Sequence, residues 1–167
     1  MSWARPRPAL ALLAVLAVGA SVLGTGVASV RAAGTGLYVD NTMPGCSDRG
    51  PGTMATPFCS ISRAVSYLRP GYTVFIGNGT YSATVVPKAS GTAAAPVTIA
   101  GWPGRQPVVG AGVTHGVRIS GRSFVRVLNL HVSGSTGDGI AVSGGRHVTI
   151  SGTEVSGAGS RARPAAW

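Results

Sequence analysis

The chain has 167 residues, among them 26 glycines, with 14 lysines and arginines against 4 aspartates and glutamates, for a formal net charge of +10 at neutral pH. So few carboxylates leave little material for a calcium cage or for paired-carboxylate hydrolysis of a glycoside, and 2 cysteines cannot build a four-ligand zinc site. The arginines are scattered, without a basic run or interleaved aromatic rings, which argues against a nucleic-acid-binding surface.

At the start of the chain, Arg5 and Arg7 precede an alanine-rich apolar run from Ala9 to Val22, and Val30-Arg31-Ala32 fits cleavage after Ala32, with Ala28 as the alternative position. Residues 1–32 are therefore read as a secretory signal peptide. A retained membrane anchor is the competing reading, but Gly19 and Gly24 interrupt the run and it is short for a bilayer span, so no stable membrane span is expected after removal. The remaining length suits one domain, secreted and extracellular.

Residues 33–70 hold a first strand, Gly36-Leu37-Tyr38-Val39-Asp40, and then the two cysteines, Cys46 and Cys59. An exported chain meets an oxidising compartment, so Cys46 and Cys59 are expected to form a disulfide across the Gly/Pro-rich loop from Ser47 to Phe58. Ser60 offers a helix N-cap, and Ile61, Ala64, Val65 and Leu68 fall on one helical face before Pro70-Gly71 stops the run. This predicts a short amphipathic helix over Ile61 to Leu68.

Residues 71–159 read as strands. Val74-Phe75-Ile76, Thr84-Val85-Val86, Pro96 to Gly101 and Pro107 to Gly110 are short apolar segments set between turns, and Asn78-Gly79-Thr80 is a glycosylation sequon that a tight turn explains more simply. From Gly116 the pattern becomes regular. Gly116 to Gly121 matches Gly139 to Gly144, Val125-Arg126-Val127 matches Val148-Thr149-Ile150, and Val132-Ser133-Gly134 matches Val155-Ser156-Gly157, always at an offset of 23. Self-similarity at a fixed period signals a solenoid, and the period-two alternation inside each segment signals strand. Three strands per repeat make one rung of a β-helix, and a β-sandwich of short strands is the competing arrangement. Between the second and third strands, Leu128-Asn129 in one repeat corresponds to Ser151-Gly152 in the next. Asn and Gly are the residues that best tolerate positive φ, so a left-handed corner is expected there.

This corner resembles the asparagine corner of the pectate-lyase-like right-handed parallel β-helix superfamily. The segments Tyr38-Val39-Asp40, Pro57 to Ile61, Gly71 to Ile76, Gly79-Thr80-Tyr81 and Ala95 to Ile99 look like the amino-terminal part of secreted bacterial members. The resemblance covers about Leu37 to Gly157. It implies an all-β, right-handed parallel β-helix whose first rung is covered by the short helix. It also implies polysaccharide lyase chemistry, with Lys or Arg as base and, in a full-length relative, Ca²⁺ held by clustered carboxylates.

Lys88, Arg118 and Arg126 are the weak candidates for that base. Lys88 follows Pro87 in a loop, while Arg118 and Arg126 point outward from strands with no acidic or aromatic partner evident. Asp40 and Asp48 fall in the cap region, Asp138 in the turn Gly137-Asp138-Gly139, and Glu154 on a regular strand, so no cofactor site is evident. The offset stacks His131 with Glu154 as a surface ion pair, and His115 and His147 fall at turns or strand edges. Two functions are carried forward: an enzyme related to polysaccharide lyases that acts on acidic polysaccharide, and a non-catalytic extracellular β-helix that binds glycan or cell wall. After Gly157 the repeat stops, and residues 160–167 read as an irregular tail of a truncated or amino-terminal piece. An open last rung of that kind is expected to self-associate.

Overall fold

The computed structural model describes residues 35–159; the leader assigned to residues 1–32 and the tail of residues 160–167 lie outside the described residues. Short stretches of alternating apolar and polar residues form β1 (Gly36–Val39), β2 (Thr73–Ile76), β3 (Thr80–Tyr81), β4 (Val97–Gly101), β5 (Val108–Val109), β6 (Val117–Ser120), β7 (Val125–Leu128), β8 (His131–Ser133), β9 (Ile140–Ser143), β10 (Val148–Ser151) and β11 (Glu154–Ser156). One helix, α1 (Ile61–Ser66), lies between β1 and β2.

All the strand pairs are parallel, and each strand pairs with its counterpart one turn further along. The first side of the solenoid runs β1-β2-β4-β7-β10, the second β3-β5-β8-β11, and the third β6-β9. Val125 lies beside Val148, Val132 beside Val155, and Val117 beside Ile140, so the repeat read from the sequence is the stacking register of a parallel β-helix. Earlier turns take longer steps, with Val97 beside Val125 and Thr80 beside Val108. The extra residues are accommodated in loops, where insertions do not disturb the ladder.

Alternation decides what faces inward. Val117, Ile119, Val125, Val127 and Val132 are sealed from solvent, and with Leu37, Val39, Val74, Ile76, Val97, Ile99 and Val109 they form one aliphatic column. The corner between β7 and β8 has Asn129 at φ 52°, and its counterpart Gly152 is at φ 61°, as the Asn/Gly alternation predicts. Where the chain enters the third side, Gly116 and Gly139 leave space that a Cβ would lose to Val132 and Val155 respectively.

At the amino-terminal end α1 buries Ile61, Ala64 and Val65 against β1 and β2, covering the first turn. Ser60 is its N-cap, accepting a hydrogen bond from the Arg63 N–H. The helix is shorter than the apolar spacing predicts. It ends at Ser66, and the Tyr67 and Leu68 N–H groups bond the carbonyls of Ala64 and Val65, a 3₁₀-like tightening before Pro70. Leu68 stays buried but outside the helix. Cys46 and Cys59 form the expected disulfide, with Cα atoms 5.1 Å apart.

The strand expected over Thr84 to Val86 reduces to a single bridge from Val85 to Val117. Val85 donates to the Gly116 carbonyl and accepts from the Arg118 N–H, and Pro87 lacks the donor needed to extend the ladder. On the last described turn Val142, Ile150 and Val155 are exposed.

Candidate functional site

Two turns, one before β6 and one before β9, stack to build an open cleft. The Thr136 N–H donates to the Val113 carbonyl at 2.8 Å and the Gly137 N–H to the Thr114 carbonyl at 2.9 Å, so the parallel ladder continues through both turns. The result is an open cleft of about 620 Å³ lined by Thr84, Val86, Thr114, His115, Arg118 and Thr136. Arg118 reaches it because Val117 and Ile119 on either side turn inward.

His115 and Asp138 occupy equivalent positions in the two stacked turns. The His115 Nδ1 atom is buried, makes no hydrogen bond, and lies 3.5 Å from the Asp138 carboxylate. That separation is at the outer limit of hydrogen bonding, and the Asp138 side chain is mostly exposed. Among the described residues no carboxylate lies within ion-pair distance of Arg118, which leaves its guanidinium open to an anionic ligand. The cleft thus combines one fixed cation, an imidazole beside a carboxylate, and three threonines.

The other candidates fall elsewhere. Arg126 projects from β7 into a separate slot lined by Thr92, Ala93, Pro96, Phe124, His147 and Thr149. Phe124 and His147 line the same slot and stack on each other with ring centroids 4.5 Å apart. Lys88 is exposed and lines neither recess. His131 and Glu154 are register partners, yet they form no ion pair. The imidazole Nε2 instead exchanges a 3.0 Å hydrogen bond with the Ser156 hydroxyl, and Glu154 is left in solvent, where such a pair would be weak.

The remaining carboxylates serve the cap. Buried Asp40 accepts from the Thr42 N–H and hydroxyl. Asp48 accepts from the Cys59 and Ser60 N–H groups; desolvation works to raise its pKa, but these bonds, the Ser60 hydroxyl and Arg63 outweigh it and hold the carboxyl below its usual range. Among the described residues no three metal-ligating side chains converge. His115 with Asp138, and Phe124 with His147, were missed in the sequence. The same offset that matched the strands pairs both sets, but neither falls on a strand.

No family profile matches the chain, and no curated protein matches it. Among solved structures it is similar to a GH136 lacto-N-biosidase from Eubacterium ramulus, at 16% identity and a TM-score of 0.60 over 72% of this chain and 27% of that one. It is also similar to a rhamnogalacturonan lyase, at 16% identity and a TM-score of 0.46 over 73% of this chain and 51% of that one. The chain therefore spans about a quarter and about half of these two chains' lengths. At such identity the first likeness bears on the fold alone, in keeping with the parallel β-helix that the strand registers define.

Proposed function

We propose that this chain is a secreted, extracellular β-helix that holds acidic polysaccharide in the cleft beside β6. The observation that carries the reading is the gathering of Arg118, His115, Thr84, Thr114 and Thr136 around one open recess with no ion-pair partner for the guanidinium among the described residues. A guanidinium suits a sugar carboxylate bidentately, and threonine-lined walls suit the polar surface of a sugar. The basic composition favours such a polymer. The disulfide fits an oxidising compartment, and among the described residues no helix is long and apolar enough to cross a membrane. The carbohydrate enzyme named as a structural neighbour suggests which ligand class to test first.

Calorimetric titration with galacturonate oligomers, using a neutral galactan oligomer as control, is the test. Saturable binding of the acidic oligomer is expected, weakened about tenfold or more by Arg118→Ala. Binding that ignores Arg118→Ala, or equal binding of the neutral oligomer, would contradict the reading.

A catalytic reading of the same cleft is favoured by one observation, the carboxylate of Asp138 beside the His115 imidazole. Imidazole is the side chain most often used as a general acid or base. Release of unsaturated product from polygalacturonate, lost in His115→Gln, would establish it. We expect binding without product, because no carboxylate cluster is available among the described residues to acidify the proton beside the sugar carboxylate.

A further inference from the structure

The corner between β6 and β7 recurs between β9 and β10, and at both places an aromatic residue has left-handed backbone, Phe124 at φ 54° and His147 at φ 54°. Positive φ is costly for any residue with a Cβ, and the neighbouring corner avoids most of that cost with Asn129 and Gly152. The surroundings hold the aromatic corner in place. The Phe124 carbonyl accepts from the Val97 N–H, the Phe124 N–H donates to the Arg146 carbonyl, and the Arg146 N–H donates to the Ser123 hydroxyl. Strain that is maintained in this way often marks a working site.

The two rings stack nearly parallel, 13° apart, and both line a slot of about 220 Å³. Ala93 and Pro96 also line it. So do Arg126 and Thr149, which are register partners on the outer face of β7 and β10. Among the described residues no carboxylate lies within ion-pair distance of Arg126. Aromatic rings beside an unpaired guanidinium suit a ring-shaped ligand that carries one negative charge.

We propose that this slot is a second binding site, separate from the cleft beside β6, that takes a single pyranose ring carrying a carboxylate, with the ring against Phe124 and His147 and the carboxylate on Arg126. The proposal rests on the reading of the protein as a binder of acidic polysaccharide, and adds a subsite with its own anchor. The strained aromatic corners are then retained for the ligand, and glycine in place of Phe124 would relieve the backbone while removing half of the stack.

The three histidines make the two sites separable, because His115 lines the cleft, His147 lines the slot and His131 lines neither. Imidazole carbon-bound proton resonances are followed while methyl galacturonoside is titrated, with neutral methyl galactoside as control. The His147 resonances are expected to shift saturably with the uronoside, to respond unchanged in Arg118→Ala, and to lose the response in Arg126→Gln. Arg126 is exposed, so that variant is expected to fold. Phe124→Gly is expected to stay folded and lose the response as well. A response confined to His115 would overturn the slot and leave the cleft reading standing, whereas one at His147 without His115 would do the reverse. A His147 response that survives Arg126→Gln, or one equally strong with the neutral glycoside, would overturn the carboxylate anchor.

Discussion

Val127 is sealed from solvent, and its neighbour Arg126 stands in water on the same strand. Val127→Asp is therefore expected to cost several kcal/mol, by burying an unpaired carboxylate, while Arg126→Asp changes stability by about 0.5 kcal/mol or less. Comparable losses in urea midpoint would show the inside-outside assignment to be wrong. Asp48 has a folded pKa held below its ordinary value, so it contributes stability that is present above that value and lost as pH falls through the folded pKa. Asp48→Asn is expected to flatten the acid limb of a stability-against-pH profile. Tyr81 has the opposite dependence: burial, aided by Asp40, raises its pKa to about 12 although the Asn41 N–H bonds its oxygen. Its contribution is full below the unfolded value of about 10 and is lost as pH rises through the folded one, so Tyr81→Phe is expected to remove an alkaline loss of stability between those limits. At this scale the inward valines were legible, because alternation is local. The left-handed Phe124 and His147 were not, since an aromatic side chain does not announce positive φ, and His115 meets Asp138 only once two turns have stacked.

Among the elements, the cap has the least regular structure and depends most on cross-links. The disulfide spans a separation of 13 residues and ties the loop to the segment that carries Asp48's partners, Cys59 and Ser60. Replacing both cysteines by serine is expected to cost about 3 kcal/mol from loop closure, seen as a fall in Tm of about 10 °C. No change in Tm would mean that the loop is held by its hydrogen bonds alone. Here Ser60 and the spacing of Ile61, Ala64 and Val65 made the helix legible, and the Cys46–Cys59 bridge followed from two cysteines and the expectation of export. The end of the helix was not legible, because the tightening at Tyr67 and Leu68 comes from packing ahead of Pro70 rather than from propensity. The strand at Val85 shrank for a related reason: only one of its residues finds parallel partners in β6.

At the scale of the whole molecule, the period of 23 made the solenoid legible, while the function depends on what its corners and loops present. Val142, Ile150 and Val155 are 45%, 43% and 46% exposed at one end of the described residues. Exposed apolar side chains along strand edges favour association, so Val155→Lys is expected to lower any apparent mass above the monomer's in light scattering. No difference between the two proteins would show that this face takes no part in association. If the turns before β6 and β9 hold acidic polysaccharide as proposed, titration with trigalacturonate should move the amide chemical shifts of Thr114, His115, Arg118 and Thr136 saturably. Shifts unchanged there while the ligand binds elsewhere on the solenoid would contradict that placement.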